Sequence, residues 1–249
     1  MEHKKVIVCD LDGTLAVSKS PLAEDMAEVI GHVLRKYMFA VVSGGGFTQF
    51  QRQFISKLSC NPKLFKNLYL FPTMGSTCYI YNASTGTWDQ AYNEPLPEKD
   101  RKAIKRAFEE VIAEFELGVT HLYGEMIEDR GSQITFSALG QEAPISLKEK
   151  WDPDQSKRRA MVLLLKKRIP QFEIRIGGTT SIDVTKKGLD KAYAIGKIKS
   201  LLHVEDDDII FAGDALYKGG NDEAVKSTGV DFIQEDGPDS TLEFLSRYM

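Results

Sequence analysis

Two aspartates, Asp10 and Asp12, follow the apolar run Val6-Ile7-Val8-Cys9 and precede Gly13-Thr14. The run reads as a short buried strand. Side chains alternate along an extended chain, so acids at i and i+2 point to one side. Gly13 then permits a sharp bend, and Thr14 brings a hydroxyl into it. Two like charges at a strand end repel unless a counter-cation sits between them, and a divalent ion is the natural partner. Asp-x-Asp-Gly also occurs in ordinary turns. An EF-hand loop is excluded, because Gly13 is fourth after Asp10 and Pro21 is twelfth.

Other chemistry-bearing residues fall at the ends of other apolar runs. Phe39-Ala40-Val41-Val42 ends in Ser43-Gly44-Gly45-Gly46, and Ile209-Ile210-Phe211-Ala212 ends in Gly213-Asp214, with Asn221-Asp222 shortly after. Leu189 to Leu202 reads as a helix, with Lys191 at its start. In a parallel sheet such ends share one edge, where α/β folds bind ligands. Carboxylates there suit Mg²⁺, which takes oxygen ligands and keeps waters that a phosphate can replace. Lysine, a serine hydroxyl and glycine-bend amides suit phosphate oxygens. One aspartate can accept a phosphoryl group, and a second can act as acid and base. The set is complete for phosphoryl transfer without a nucleotide.

These residues need elements to position them. Ser20-Pro21 predicts a helix start, with Leu22, Met26, Val29, Ile30, Val33, Leu34 and Tyr37 on one face. Phe50, Phe54 and Leu58 predict a second helix, Tyr69-Leu70-Phe71 a third strand, and residues 78–88 a hairpin. The pattern changes after Tyr92. A helix is expected over 98–117, strands over 121–127 and 132–139, and a helix over 154–168. Two alternating strands flank Gly177-Gly178. The tail returns to the first style. The expected fold is α/β: a Rossmann-like core with a mainly parallel sheet, residues 1–91 and 187–249, interrupted at 92–186 by an α+β unit with an antiparallel sheet.

Composition narrows the class. The 249 residues are 42% hydrophobic and carry a net charge of −4, which supports a substantial core and gives no basic field for nucleic acid. The cluster Lys166-Lys167-Arg168 reads as a solvated helix end. Three cysteines, an odd number, point to a reducing compartment, with Cys9 and Cys78 as core residues. No apolar run reaches the ~20 residues of a membrane span. Neither a Walker loop nor a dinucleotide-binding glycine fingerprint is present. A soluble cytoplasmic protein is expected.

Asp10-Leu-Asp12-Gly-Thr14, Ser43, Lys191 and Gly213-Asp214…Gly-Gly-Asn221-Asp222 resemble, in order, the four motifs of the haloacid dehalogenase (HAD) superfamily. The insert is similar to a type IIB cap. Phe71-Pro72, Arg130-Gly131, Gly177-Gly178-Thr-Thr-Ser181-Ile-Asp183 and Gly219-Gly220-Asn221-Asp222 resemble eukaryotic-type phosphomannomutase. The resemblance implies Asp10 as nucleophile and Mg²⁺ ligand, Asp12 as general acid/base giving its carbonyl to the metal, and Asp214 as a third ligand. It implies metal support from Asn221 and Asp222, phosphoryl contacts from Ser43, Gly44 and Lys191, and substrate contacts from Arg130, Ser181 and Asp183. Lys187 is a rival for Lys191, and the Leu-Asp-Lys context favours Lys191.

Two positions depart from the mutase pattern. Gln141 stands where an arginine is expected, and glutamine cannot make a charged bidentate clamp on phosphate. Lys148 or Lys150 could supply a lone point charge there. Ser43 provides a hydroxyl that the mutases lack and the hydrolases usually have. The leading expectation is a Mg²⁺-dependent phosphatase of small phosphorylated metabolites, most simply sugar phosphates. The alternative is mutase-like isomerisation between hexose 1- and 6-phosphates, and a further one is a catalytically inactive binding protein. A two-component receiver is about half this length and lacks an insert. The expected partner is a small phosphate ester, with no nucleic acid and no membrane, and the chain is a monomer or a cap-mediated homodimer.

Overall fold

The computed structural model describes residues 4–249. Among the described residues, eleven strands and seven α-helices, setting aside the left-handed turn at Pro72–Gly75, are distributed over two compact units, residues 4–93 with 189–249, and residues 94–188. The boundaries lie two residues beyond the expected ones at each crossing, because the strand that closes the first sheet continues to Asn93 and the turn after the last insert strand extends to Gly188.

In the first unit the chain forms β1 (Val6–Asp10), α1 (Glu24–Val33), β2 (Met38–Val42), α2 (Phe47–Gln53), β3 (Leu68–Phe71), β4 (Thr77–Asn82) and β5 (Thr87–Asn93). The sheet order is β11-β10-β1-β2-β3-β4-β5, where β10 is Ile209–Gly213 and β11 is Asp231–Gln234. The first five strands in that order are parallel, and β4 and β5 form an antiparallel edge hairpin. β1 is buried on both faces, as expected of a central parallel strand. Ile7 and Cys9 join the cluster with α1, and Val6 and Val8 join the opposite cluster with Ala194, Ile195 and Ile198. Register places Asp10 beside Val42 and Cys9 beside Ala212, so β1, β2 and β10 end together.

The second unit contains α3 (Glu98–Glu114), β6 (Ile127–Asp129), β7 (Gln133–Ser137), α4 (Ile145–Trp151), α5 (Ser156–Arg168), β8 (Phe172–Gly177) and β9 (Ser181–Lys186). Its sheet is antiparallel in the order β6-β7-β9-β8. Ile134, Phe136, Ile182, Val184 and Ile174 alternate onto one face and share a core with Ile104, Phe108, Val111, Met161 and Leu165 of the helices. The other face carries Gln133, Thr135, Ser181 and Asp183, with Thr135 opposite Asp183. Asp152 and Arg158 form an ion pair at 2.8 Å that is almost wholly inaccessible. Arg158 also donates through Nη1 to the carbonyls of Gly177 and Gly178, 3.3 and 2.6 Å away, which ties the β8–β9 turn to α5.

The chain then returns through α6 (Lys191–Leu202) and, after β11, closes with α7 (Pro238–Ser246). No helix among the described residues is long and apolar enough to cross a membrane.

Several elements differ from expectation. α1 begins at Glu24 rather than after Ser20, because the Leu22 amide donates to the carbonyl of Gln53 and holds the segment extended. The expected strand over 121–127 is irregular up to Met126, where Gly124 takes φ +80°. Gly219-Gly220-Asn221-Asp222 reads as the opening of a helix, but the segment that follows is a 3₁₀ turn, Glu223–Ser227.

Candidate active site

The site begins with a close approach. Gly13 has φ +89°, and a Cβ there would lie 2.5 Å from Asp214 Oδ2. Only glycine lets the bend after β1 pass so near the carboxylate that follows β10. Thr14 completes the junction: its buried hydroxyl donates to Asp214 Oδ1 at 3.2 Å and accepts from the Asp214 amide at 3.0 Å. Two chain segments 200 residues apart are thereby fixed to each other.

Asp10, Asp214 and Asp222 each present a carboxylate oxygen, all within 4.8 Å of one another. Lys191 is fully buried, 2.9 Å from Asp10 Oδ2 and ion-paired with Asp222 Oδ1. Asp222 Oδ2 accepts from the Ala215 amide at 3.0 Å, and Asp10 Oδ1 accepts from the Leu11 amide at 2.7 Å. The Asp190 side chain caps α6 by accepting from the Tyr193 amide, which fixes the turn that carries Lys191.

Three acids face one ammonium, and the electrostatics follow. Burial drives the Asp10 carboxyl up to about 7; Lys191 opposes that rise, and Asp222 and Asp214 add to it. Asp214 is also raised, first by burial and then by Asp222. Burial alone would lower Lys191, but attraction to Asp10 and Asp222 leaves it raised and charged. The excess negative charge and all-oxygen donor set fit a hard divalent cation, with Asp10, Asp214 and Asp222 able to hold it.

Asp12 stands outside this acid group. Its Oδ1 accepts from the Lys19 amide at 2.6 Å and from Gln53 Nε2 at 3.1 Å, and its Oδ2 accepts from Gln49 Nε2 at 2.7 Å. Gln49 and Gln53 lie one helical turn apart on α2 and are bonded to each other at 2.8 Å. The sequence reading missed both. Their i, i+4 spacing on the helix after the glycine bend is the signal that could have found them. It also missed Gln234, whose side chain bonds the Asp214 carbonyl and the Leu216 amide and so braces the loop after β10.

Ser43 immediately follows β2, one residue beyond the partner of Asp10, with Gly44 next to it. The Ser43 hydroxyl is buried and accepts from the Gly45 amide at 3.1 Å, leaving its own hydrogen to donate. Asn221, expected to support the metal, is exposed, whereas the adjacent Asp222 is buried and joins the acid cluster.

In the second unit Asp183 accepts from Gln133 Nε2 at 2.9 Å and Thr135 Oγ1 at 2.7 Å, and Ser181 lies opposite Ser137 on the same polar face. Arg130 directs Nε and Nη2 to Glu128 Oε2, at 2.8 and 2.6 Å. Lys148 is buried and donates to the Gln141 carbonyl at 2.8 Å, whereas Lys150 is exposed.

Comparison with known proteins places these features. Residues 26–245 match the eukaryotic phosphomannomutase family. A phosphomannomutase of Schizosaccharomyces pombe is 29% identical over 88% of this chain and 84% of its own length. That of Encephalitozoon cuniculi is 27% identical over 96% and 91%. Among solved structures, a Plasmodium falciparum IMP-nucleotidase superposes with TM-score 0.73 at 18% identity, covering 100% of this chain and 71% of that one. A haloacid dehalogenase-like hydrolase from Bacteroides thetaiotaomicron superposes with TM-score 0.67 at 15% identity, covering 99% and 100%. At that identity the two structures speak to the fold alone, a HAD-like one.

Proposed function

The chain belongs to the eukaryotic phosphomannomutase family, and we propose that it moves a phosphoryl group between two positions of a phosphorylated hexose by way of Asp10. The observation that carries this reading is the buried Asp10 carboxylate, 2.9 Å from a buried Lys191, at the shared edge of β1 and β10.

Asp10 Oδ2 attacks phosphorus while the ester oxygen leaves, giving an aspartyl phosphate. Asp12 protonates the departing oxygen, then removes the proton from the hydroxyl that attacks in the second half. Gln49 and Gln53 hold the Asp12 carboxylate through both halves. Lys191 favours the ionised form of Asp10 against the effect of burial and neutralises phosphoryl charge during attack. The Ser43 hydroxyl and the Gly44 amide grip phosphoryl oxygens. Asp10, Asp214 and Asp222 would hold a magnesium ion, which would supply further charge neutralisation. The family resemblance assigns contacts with the sugar or its distal phosphate to Arg130, Ser181 and Asp183 of the second unit.

A hydrolytic reading is favoured by the chemistry at two positions, the Ser43 hydroxyl and Gln141. Gln141 replaces a bidentate cation, and buried Lys148 offers only a point charge in its place. A weaker distal grip leaves the aspartyl phosphate open to water. One assay separates the readings: hexose 1-phosphate is incubated with Mg²⁺, with and without a hexose 1,6-bisphosphate. The mutase reading predicts 6-phosphate formation, stimulated by the bisphosphate and faster than phosphate release. Release exceeding transfer tenfold rejects it in favour of hydrolysis, and both activities vanish in Asp10→Asn.

A further inference from the structure

The chain leaves the first unit after Asn93 and re-enters it at Leu189. A tyrosine stands just inside each crossing: Tyr92 near the end of β5 and Tyr193 in the first turn of α6. The Lys197 ammonium lies 5.2 Å from the centroid of each ring. That cation–π arrangement fixes the Tyr92 ring against α6.

The Tyr92 hydroxyl, in turn, donates to the Gly75 carbonyl at 2.7 Å. Gly75 closes a left-handed turn in which Thr73, Met74 and Gly75 have φ of 49°, 56° and 77°. Two side-chain-bearing residues in succession, one of them β-branched, rarely adopt this conformation, and it persists only where surrounding contacts enforce it. The enforcement is visible. A Cβ on Gly75 would lie 2.7 Å from the Ala194 Cβ, so the turn is wedged on α6. Thr73 Oγ1 shares a hydrogen bond with Ser76 Oγ at 2.6 Å.

The left-handed turn brings two amides round to the glycine bend after β2. The Thr73 N–H donates to the Gly45 carbonyl and the Met74 N–H to the Ser43 carbonyl, each at 3.0 Å. Pinning those carbonyls sets the peptide planes, and hence the direction of the Gly44 amide and the Ser43 hydroxyl. We propose that Tyr92 is a positioning residue for the Ser43–Gly45 loop, acting through the left-handed turn at Thr73–Gly75. The inference rests on the reading of that loop as the phosphoryl grip.

The test compares Tyr92→Phe, Ser43→Ala and the double variant in the full chain with Mg²⁺, reading the dissociation constant for inorganic phosphate by calorimetry and Tm by thermal unfolding. Tyr92→Phe keeps the ring under Lys197 and deletes only the donor. It is expected to weaken phosphate binding about fivefold, the order of one lost hydrogen bond, with Tm moved by no more than about 2 °C. In the double variant the two losses are less than additive, because both act on one loop; a purely structural role for Tyr92 would lower Tm without that coupling. Wild-type phosphate affinity in Tyr92→Phe, alongside weakening in Ser43→Ala, overturns the positioning role. Wild-type affinity in Ser43→Ala as well overturns the phosphate-grip reading beneath it.

Discussion

Replacing Gly13 by alanine probes the junction that brings the two ends of the chain together. The substitution has two separable consequences. The first is conformational: at φ +89° an L residue is strained, by on the order of 1–2 kcal/mol. The second is a collision. The new Cβ would lie 2.5 Å from Asp214 Oδ2 and 2.8 Å from its Cγ, while Thr14 holds the other carboxylate oxygen, Oδ1. Ordinary contact needs nearly 1 Å more, so the Asp214 carboxylate must move by about that distance. A displacement of that size in a catalytic group costs about a hundredfold in rate. Gly118→Ala supplies the control, since Gly118 has φ +65° and nothing within 4 Å of its Cβ position. Both variants should lose similar stability in urea, and only Gly13→Ala should lose about two orders of magnitude in kcat/KM toward a hexose phosphate. Activity within threefold of wild type in Gly13→Ala would refute the claim that the Asp214 position depends on this bend.

Arg158→Met should destabilise the protein by about 3–5 kcal/mol in chemical denaturation, because it leaves the Asp152 carboxylate buried without its ion-pair partner; a loss below 1 kcal/mol contradicts the burial argument. In metal-free protein, the Asp10 carboxyl at about 7 lies above its unfolded value near 4. The folded state therefore holds the extra proton, and this contribution to stability is present below about pH 4 and lost as pH rises through about 7. Magnesium must displace that proton, so its thermal stabilisation should be larger at pH 8 than at pH 6, with apparent affinity falling about tenfold per unit below 7; a gain that is flat between those pH values counts against Asp10 as a ligand. Burial pushes the Cys78 thiol up to about 12 and raises Cys9 well above its usual value, whereas Cys60 is only partly buried and raised less. An aromatic disulfide reagent at pH 8 should consume one thiol per native chain and three after denaturation, and rapid reaction of two or more native thiols would refute this.

The buried strands of the first unit are legible because parallel central strands need apolar side chains on both faces, and Val6–Cys9 and Ile209–Ala212 supply them without interruption. The polar residues that follow those runs are legible as breaks in the apolar pattern, although Asp10 itself stays buried. Pairing between the ends is not. Nothing local in Asp222 foretells its bond to Lys191, nor in Gly13 its contact with Asp214, since both depend on register across the sheet. Gln49 and Gln53 read locally as a polar helix face, and only the fold turns that face toward Asp12. The short helix Ile145–Trp151 escapes notice because it buries only Lys148, whose aliphatic stem carries no apolar signal. Asn221 looked equivalent to Asp222, yet adjacent residues of a tight turn face opposite ways.

The insertion of a continuous 94–188 unit into a sheet whose central strand pairs β1 with β10 has a kinetic consequence. During synthesis the middle of the polypeptide is complete, with its own apolar core, well before residues 209–213 emerge. Until then the flank of β1 that β10 will cover stays open, a sticky edge on a nascent chain. The acid cluster thus assembles late, and truncation between the insert and β10 would leave a folded middle attached to an aggregation-prone half-sheet.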